Sequence, residues 1–262
     1  MLILRDGSRW HTPETSERGA YVHPGRLADA ETLMKRATEL QRQFIANASH
    51  ELRTPLTGLR AELQEALMYP EETDPHDVLQ RALSNADRLQ AIVSDLLLLA
   101  RLESDGASRL EEVGLAELVR AEVDRRSDRV PVRCHLDFGI TIRAVRIQVI
   151  RLLTNLLDNS QRHAGDLVQV DVRRRGDLAE LVVADDGPGI AEADRERIFE
   201  RFSRLDRARS RDRGGTGLGL AIVREIAAAH GGAIEVSTSE AGGARFSLLL
   251  RCSAQKRGHV SA

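Results

Sequence analysis

The segment ANASHELRTPLTGLR, residues 46–60, lies in the middle of the pattern that decides the fold of the first half of the chain. Apolar residues recur on both sides of it at steps of three and four, which is typical of an amphipathic α-helix. The apolar positions are Leu33, Ala37, Leu40, Phe44, Ala48, Leu52, Leu56, Leu59, Leu63 and Leu67. A stripe sustained for about ten turns predicts one long helix through this segment.

A second helix is predicted after a short break. The sequence YPEETDP at 69–75 contains two prolines and ends the first pattern. A second stripe then runs to residues 104–106, with apolar positions at Leu79, Ala82, Leu83, Ala86, Leu89, Val93, Leu96, Leu97 and Ala100. Two long helices with a short turn between them predict an antiparallel hairpin.

This hairpin would carry two apolar stripes and have little area of its own to cover them. A four-helix bundle covers such stripes, with helices packed about 20° from antiparallel. Two copies of the chain supply four helices, so we expect a homodimer through the hairpin. The alternative is that residues 27–102 pack against the rest of their own chain.

The second half of the chain alternates short helical patterns with β-branched runs. Strand patterns lie at 130–138, 167–175, 178–186, 233–240 and 244–250, and helical patterns lie at 115–127, 144–163 and 217–230. This alternation predicts an α/β sandwich with helices on one face of a mixed sheet. The predicted multi-domain organisation is a poorly ordered segment 1–26, an all-α helical hairpin 27–104, an α/β-sandwich domain 110–252 and a tail 253–262.

Composition excludes several classes of protein. The 262 residues are 42% hydrophobic and 30% charged, so the chain can fill a core. Aromatic residues make up only 3%, and 38 Lys and Arg are balanced by 40 Asp and Glu, which disfavours nucleic-acid binding. Cys134 and Cys252 stand far apart, which disfavours a disulfide scaffold or a zinc ribbon.

Membrane insertion is not expected for this stretch of sequence. The longest fully apolar run, at 96–100, is much shorter than the roughly 20 residues of a spanning helix. The N-terminus lacks the apolar middle of a signal peptide. We therefore expect a cytoplasmic location, or a location at the inner face of the membrane if a longer parent protein carries a membrane segment.

His50 is the first candidate for chemistry. At about 100° per residue it lies about 160° from Leu52 around the helix, so the helix displays it to solvent. A lone exposed histidine is usually an ordinary surface residue, but Glu51 can hold an imidazole tautomer or accept its proton. Pro55 removes one helical hydrogen bond and should bend the helix near His50. These neighbours favour a functional histidine.

Asn155 and Asn159 lie four residues apart in the helical pattern at 144–163, so both project from one face. Their carbonyl oxygens suit a hard cation such as Mg²⁺. Arg162 follows three residues later and can reach a phosphate. The alternative for this spacing is the ordinary polar edge of an amphipathic helix.

Two glycine-rich segments can let the backbone approach a ligand closely, although an Asp-Gly-x-Gly turn is also common in ordinary loops. In VVADDGPGI an apolar strand ends at Asp185, which can accept a hydrogen bond from an exocyclic amine, and a turn with two glycines follows. Farther on, glycines open a helix at 215–219, where backbone N–H groups can approach phosphate. The arginine-rich stretch at 195–213 precedes that helix, and most of its arginines are expected to be solvated.

The order of these elements resembles that of the sensor histidine kinases of two-component signalling. HELRTP at 50–55 is similar to their H-box and NLLDN at 155–159 to their N-box. The G1 box, F-box and G2 box are matched by DDGPG at 185–189, IFERF at 198–202 and GTGLG at 215–219. The resemblance covers about residues 30–250. It implies a dimeric helical hairpin followed by a Bergerat-type ATP-binding sandwich, with ATP and Mg²⁺ as cofactors.

The resemblance also implies roles on the hairpin. His50 would be the phospho-acceptor and Glu51 its acid/base partner. Thr54 would help to place the water that dephosphorylates the response regulator. The implied activity is ATP-dependent autophosphorylation of His50, followed by transfer of the phosphoryl group to an Asp of a separate response regulator. A phosphatase activity towards the phosphorylated regulator is also implied.

The nucleotide site is implied in the same way. Asn159 would ligate Mg²⁺, Asn155 would face the triphosphate or its metal, and Asp185 would bind the adenine amine. Phe199 and Phe202 would anchor a lid from which Arg204 reaches the γ-phosphate. The other ATP-binding residues implied are Arg162, His163, Gly187, Gly189, Gly215, Thr216, Gly217, Leu218 and Gly219. His163 stands where many members carry Tyr, and TIRAVR at 141–146 lacks the Asp-rich start of many N-box helices.

Two other functions remain as alternatives. One is a chaperone, topoisomerase or mismatch-repair ATPase with the same ATPase fold, and HELRTP on a helical hairpin argues against it. The other is a nucleotide-binding pseudokinase that acts as a dimeric scaffold, and the intact His50 and Asn159 argue against that. The stimulus, the identity of the response regulator and the choice between phosphorylation within or between subunits do not follow from the sequence.

Overall fold

The computed structural model describes residues 24–71, 73–103, 109–203 and 216–253. The chain divides into two compact units, residues 1–45 and 46–262. The predicted N-terminal segment 1–26 lies almost wholly outside the described residues, as does the tail after Ser253.

Two long helices form the predicted hairpin. Helix α1 spans Pro24–Met68 and helix α2 spans Pro75–Glu103, and Pro55 lies inside α1 without ending it. Asp74 caps α2, because its Oδ1 accepts a hydrogen bond from the His76 N–H at 2.8 Å. Pro75 is the first helical residue, where its missing N–H costs nothing. The break predicted at 69–75 is therefore confirmed.

The apolar stripes of the hairpin are only partly covered. Within the second unit, Asn85 Nδ2 donates to Glu62 Oε2 at 3.1 Å and links the two helices. Many stripe residues are exposed, namely Leu56, Leu63, Leu67, Leu79, Leu83, Val93 and Leu97. The side chains of Leu33, Ala37 and Leu40 lie outside the described residues.

The rest of the chain is an α/β domain, as predicted. In chain order its elements are β1 (Glu111–Gly114), α3 (Leu115–Asp124), β2 (Val132–Leu136), β3 (Thr141–Ala144), α4 (Arg146–His163), β4 (Val168–Arg175), β5 (Leu178–Asp185), α5 (Gly219–Ala229), β6 (Ala233–Thr238) and β7 (Ala244–Arg251). Five strands form one sheet in the order β2-β4-β5-β7-β6. Its β2–β4 pair is parallel and the other pairs are antiparallel, so the sheet is mixed.

A small second sheet was not predicted. Strands β1 and β3 pair antiparallel over four residues each. So short a strand shows too few alternations to be distinguished from a loop. The helical pattern assigned to 144–163 begins at Arg146 instead, because Ala144 belongs to β3 and Val145 is the N-cap of α4.

The core lies between the large sheet and its helices. On β4, Val168, Val170 and Val172 are buried, while Gln169 and Asp171 between them lie on the other face. The buried positions of α4 follow helical spacing and are Val149, Leu152, Leu153, Leu156 and Leu157. Helix α4 packs on α5, whose buried residues complete this layer.

One face of α2 packs against this domain within the second unit. Helix α2 contacts α5, and Ile92, Asp95 and Leu99 on one face of α2 are buried. Arg151 of α4 forms an ion pair with Asp95. Burial raises the pKa of the Asp95 carboxyl, and the hydrogen bond and charge of Arg151 oppose that rise without cancelling it. Part of α2 therefore packs against its own chain, which was the alternative to a purely intermolecular bundle.

Within the described residues, no helix has both the length and the apolar character needed to cross a membrane.

The face of the large sheet opposite the helices holds a buried carboxylate. The Glu180 side chain on β5 is 1% exposed and pairs with Arg173, with Arg175 at 3.1 Å and with Arg245 at 3.6 Å. Ser247 donates to it at 2.8 Å. Burial raises the pKa of Glu180, but the hydrogen bonds from Arg173 and Ser247 and the arginine charges outweigh burial and lower that pKa from 4.5 to about 2.

The depressed pKa of Glu180 predicts a pH dependence of stability. A carboxyl whose pKa falls on folding stabilises the protein above its unfolded pKa and loses this contribution as pH falls. Glu180→Gln should lower the free energy of unfolding at pH 7 by on the order of 1 to 3 kcal/mol. The difference from wild type should shrink as pH falls from 4.5 towards 2. Urea unfolding at several pH values measures both effects.

The matched control is Glu235→Gln, which changes an exposed carboxylate on β6. It lies on the same face of the sheet, opposite Ser247. Its free energy of unfolding should stay within about 0.5 kcal/mol of wild type at every pH. A Glu180→Gln difference that does not change with pH would contradict the assigned role of the carboxylate.

Candidate functional site

Asp185 is the best-defined polar group at the end of the central strand β5. The residue is 3% exposed, and its Oδ1 accepts hydrogen bonds from the Gly187 N–H at 3.0 Å and the Ala244 N–H at 3.1 Å. Its Oδ2 is buried and has no hydrogen-bond partner in the protein. An unpaired buried carboxylate oxygen costs free energy unless a donor satisfies it. The geometry therefore provides an acceptor for a ligand donor such as an amine.

The glycines after Asp185 allow backbone segments to approach closely. A Cβ on Gly187 would lie 2.4 Å from the carbonyl oxygen of His163 at the end of α4. Gly189 has a φ of +67° and a Cβ there would lie 2.9 Å from the Gly242 carbonyl oxygen. Both glycines are therefore required by packing around Asp185, and a larger residue would displace the turn.

Asp186 is a residue that the sequence reasoning missed. Its carboxylate accepts backbone hydrogen bonds from Gly165 at 2.8 Å, Asp166 at 3.0 Å and Leu167 at 3.1 Å. The bond from the Asp166 N–H, followed by those from Leu167 and Gly165, lowers the pKa of Asp186 against a smaller opposing effect of burial. Asp186 thus ties the segment after α4 to the Asp185 turn. The only hint of this role in the sequence is that a second aspartate directly follows Asp185 in DDGPG.

Helix α4 places one of the two predicted asparagines, Asn155, against the start of α5. Asn155 Nδ2 donates to the Gly219 carbonyl oxygen at 3.2 Å. A Cβ on Gly219 would be 3.6 Å from the Asn155 side chain, which is ordinary contact. Asn159 lies one turn farther along α4 and is half-buried. Arg162 is also half-buried, whereas His163 is exposed.

The aromatic residues of IFERF occupy different environments. Phe199 is 4% exposed and meets Phe246 edge to face, with ring centroids 6.4 Å apart. The Arg224 guanidinium lies 5.8 Å from the Phe199 ring centroid, within range of a cation–π interaction. Phe199 is therefore anchored in the core of the domain.

Phe202 is hydrogen-bonded to Gly217, so the residues before 204 and those after 215 are held together. Its backbone has a φ of 63°, and its N–H donates to the Gly217 carbonyl oxygen at 2.9 Å. Gly217 has a φ of +70°, and a Cβ there would lie 2.7 Å from the Phe202 backbone. Thr216 accepts a hydrogen bond from the Leu218 N–H at 3.3 Å, and Leu218 is fully buried. Arg204 and Gly215 lie outside the described residues.

His50 is exposed on α1, as predicted from its angular position. The Thr54 hydroxyl donates to the His50 carbonyl oxygen at 3.1 Å. Glu51 is half-buried and Pro55 is buried. This exposed imidazole is accessible to a reactant.

His230, at the end of α5, shows the contrast with His50. Its Nε2 accepts a hydrogen bond from the Val145 N–H at 3.0 Å, so the ring proton lies on Nδ1, which donates to the Ile226 carbonyl oxygen at 2.8 Å. Both ring nitrogens are used in joining α5 to the start of α4. No nitrogen lone pair of His230 is left for a reaction.

Comparison with known proteins assigns the two parts of the chain to families. Residues 40–105 match the His Kinase A (phospho-acceptor) domain family. Residues 144–254 match the family of histidine kinase-, DNA gyrase B-, and HSP90-like ATPases. The first range contains His50, and the second contains the N-box, G1, F-box and G2 segments.

Similar curated proteins are sensor kinases. The sensor-like histidine kinase SenX3 of Mycobacterium tuberculosis is 39% identical over 224 residues, which cover 80% of this chain and 53% of that protein. The sensor protein RstB of Escherichia coli is 38% identical over 215 residues, covering 79% of this chain and 48% of RstB. The chain thus spans about half the length of these relatives.

Solved structures agree with this assignment. Full-length ShkA in complex with AMPPNP is 28% identical, with a TM-score of 0.60 over 81% of this chain and 46% of that chain. The Acinetobacter baumannii histidine kinase AdeS matches in fold, with a TM-score of 0.65 at 23% identity over 78% of this chain and 98% of that chain. The chain belongs to the sensor histidine kinases of two-component systems, and its second half is an ATP-binding domain of the histidine kinase type.

The close approach at Gly187 predicts a selective effect on nucleotide binding. Gly187→Ala would place a methyl group 2.4 Å from the His163 carbonyl oxygen and must shift the turn that follows Asp185. The Kd for ATP should rise by about tenfold or more. Titration calorimetry with ATP, together with a thermal unfolding curve for each variant, measures the effect.

Gly165→Ala is the matched control, because its added Cβ would lie 3.7 Å from the Asp186 carboxylate, an ordinary contact. It should keep the wild-type Kd within about twofold. Equal ATP affinity in the Gly187→Ala and Gly165→Ala variants would contradict the role assigned to the turn.

Proposed function

We propose that this chain binds ATP in its ATPase domain, transfers the γ-phosphoryl group to His50 and passes it to an aspartate of a separate response regulator. Residues 27–104 would act as the phospho-acceptor hairpin and residues 110–252 as the catalytic domain. The observation that carries the proposal is the combination of an exposed His50 on the hairpin with an unpartnered buried oxygen of Asp185 in the ATPase domain.

The adenine end of ATP is assigned to Asp185. The exocyclic amine of adenine is a hydrogen-bond donor, and Asp185 Oδ2 is a buried acceptor without a partner in the protein. Binding would satisfy an oxygen that is otherwise desolvated, which favours a ligand with a donor at this point. Gly187 lets the backbone pass close to Asp185, and Gly189 lets it pass close to the Gly242 carbonyl oxygen, so the two glycines would shape this end of the proposed site.

The phosphate end is assigned to α4 and the start of α5. Asn155 already contacts Gly219, so the N-box helix and the glycine-rich helix start lie side by side. Backbone N–H groups at a helix N-terminus favour phosphate. Arg162, Thr216, Gly217 and Leu218 complete the proposed set among the described residues, with Arg204 and Gly215 proposed from sequence alone.

Asn159 is the proposed Mg²⁺ ligand. Its amide oxygen belongs to the hard donors that Mg²⁺ prefers, and it is half-buried one turn from Asn155. The described residues contain no cluster of three or more His, Cys, Asp or Glu that could hold a metal. A single protein ligand fits an ion held mainly by substrate phosphates and water. When bound, Mg²⁺ would neutralise phosphate charge as the γ-phosphoryl group leaves.

The chemistry at His50 follows from its exposure. A lone pair on a ring nitrogen of neutral His50 attacks the γ-phosphorus, a P–N bond forms and the bond to the bridging oxygen of ADP breaks. Glu51, the next residue, takes the proton from the other ring nitrogen and keeps the product imidazole neutral. The protein contributes chiefly by positioning the reactants. An exposed side chain can then present the phosphoryl group to the regulator.

The exposed apolar residues of the hairpin support a homodimer. Leu63, Leu67, Leu79, Leu83 and Leu97 are each at least 41% exposed on the two long helices. Large exposed apolar patches mark interaction surfaces. Pairing two hairpins in a four-helix bundle would bury these side chains.

The dephosphorylation activity is assigned to Thr54. Its hydroxyl lies one turn after His50 on the exposed side of α1 and donates to the His50 carbonyl oxygen. The lone pairs of the hydroxyl oxygen remain able to accept a hydrogen bond from the water that attacks a phosphoaspartate. Hydrolysis of the phosphoaspartate does not require His50 as a phosphoryl carrier.

Phosphate labelling tests the acceptor. After incubation with γ-³²P-ATP, the full chain should carry label that is labile in acid and stable in alkali, as expected for a phosphoramidate. His50→Gln should lose the label while retaining ATP binding. His76→Gln, which changes another exposed histidine of the hairpin, should keep it. Label that persists in His50→Gln would exclude His50 as the acceptor.

Thr54→Ala tests the second activity. Autophosphorylation should stay within about threefold of wild type, whereas removal of phosphate from the response regulator should slow by about tenfold or more. Thr57→Ala is a close control, because the Thr57 hydroxyl donates to the Arg53 carbonyl oxygen at 2.8 Å in the same way. Both activities should survive in that control. Equal losses of both activities in Thr54→Ala would show that the residue only supports the helix.

A further inference from the structure

The turn between β6 and β7 packs directly on Asp185. Ser239 is 9% exposed, and its hydroxyl donates to the Asp185 carbonyl oxygen at 2.7 Å. The same hydroxyl accepts a hydrogen bond from the Gly243 N–H at 2.9 Å. Ser239 therefore bridges the end of the central strand and the far side of the turn.

The turn is closed by its own backbone. The Ser239 N–H donates to the Gly243 carbonyl oxygen at 2.9 Å, and the Gly242 N–H donates to the Ser239 carbonyl oxygen at 3.0 Å. Gly243 lies so close to the strand that a Cβ would be 2.1 Å from the Asp185 carbonyl oxygen. The turn therefore packs directly on the end of β5, and Ser239 Oγ bridges the two.

Ala244, the residue after this turn, holds the side-chain carboxylate of Asp185. Ala244 follows Gly243 directly, and its N–H donates to Asp185 Oδ1 at 3.1 Å. Rotation of an aspartate carboxylate about its terminal torsion is otherwise weakly restricted. Ala244 is the first residue of β7 and pairs with Thr238 of β6, so the position of its N–H depends on this pairing and on the turn before it. Together with the Gly187 N–H, it sets the direction of the unpartnered Oδ2.

We propose that Ser239 is a positioning residue for recognition of the purine 6-amino group, acting through Asp185. The inference rests on the proposed binding of ATP. Removal of the hydroxyl leaves a buried carbonyl oxygen and a buried N–H without partners. The turn then relaxes and the Ala244 N–H moves. The Gly187 N–H alone still holds Asp185 Oδ1, so Oδ2 is less firmly fixed in the direction from which it accepts the amine. The loss falls on ligands that have this amine.

A purely structural role for Ser239 predicts a different result. If Ser239 only stabilised the fold, its loss would weaken binding of every nucleotide to the same extent. Inosine triphosphate distinguishes the two cases, because it keeps the ribose and triphosphate of ATP and has a carbonyl group in place of the 6-amino group. The ratio of its Kd to that of ATP measures amine recognition separately from phosphate binding.

The experiment measures Kd for ATP and for inosine triphosphate on the full chain with Mg²⁺ present, by titration calorimetry. Ser239→Ala should raise the Kd for ATP by about tenfold. The Kd for inosine triphosphate should change by less than about twofold. Ser239→Thr keeps the hydroxyl and should retain most of the wild-type ratio. Ser239→Ala combined with Asp185→Asn should show the same ratio as Asp185→Asn alone.

Ser247→Ala controls for the loss of a hydrogen bond elsewhere. Its hydroxyl donates to Glu180 at 2.8 Å on the sheet face opposite the helices, so the variant loses a comparable bond away from Asp185. It should leave the ratio unchanged even if its thermal stability falls. If Ser239→Ala does not fold, Ser239→Cys replaces it, because a thiol is a weak donor of similar shape, and the same criterion applies.

Equal losses for the two nucleotides in the Ser239 variant, or no loss for ATP, would overturn the proposal. Wild-type protein that binds neither nucleotide would instead overturn the proposed function. Wild-type protein that prefers ATP, together with a Ser239→Ala variant that keeps the same preference, would overturn only the role of Ser239. The two failures are therefore distinguishable in one data set.

Discussion

The buried carboxylate of Asp185 is the constraint on which the proposed nucleotide site depends. An ionised group is costly to bury unless hydrogen bonds replace its water. Here the bonds come from the backbone N–H groups of Gly187 and Ala244, which belong to segments far apart in the sequence. These segments converge on Asp185 only because Gly187 and Gly243 lack a Cβ. The register of β5 and β7 places all of these groups at one end of the sheet.

The spacing of apolar residues, together with the glycines and prolines that break it, was sufficient to predict most of the helices and strands. The two helices of the hairpin, the five strands of the large sheet and its three helices were each predicted within a few residues, because each repeats its apolar pattern several times. The glycines at 187, 189 and 217 were also identified from the sequence, and their close backbone contacts explain why they are glycines. Patterns of this kind can be recognised in the sequence because they depend on neighbouring residues and not on the tertiary structure.

The features that were missed depend on contacts between distant segments. The pairing of β1 with β3 involves four residues on each strand, too few to show a period. Asp186 holds residues 165–167, and Ser239 bridges Asp185 and Gly243, yet neither side chain stands out in a helical or strand pattern. Packing of α2 on its own chain was only an alternative at the level of the sequence. The apolar spacing of a helix is the same whether its face is buried by a partner molecule or by the same chain.

Helix α2 has apolar residues on two opposite sides, and this limits which of its positions can change during evolution. Ile92, Asp95 and Leu99 are buried on one side, and an apolar row that includes Leu83 and Leu97 lies on the other. At about 100° per residue, the strip between these sides contains Gln80, Asp87 and Ser94, spaced seven apart and all exposed. Neutral substitutions should accumulate in that strip. A change on the buried side would alter the packing of α2 within the chain, and a change on the apolar exposed side would alter the surface proposed for the dimer. Comparing orthologues by helical angle, rather than by position along the chain, would reveal this restriction.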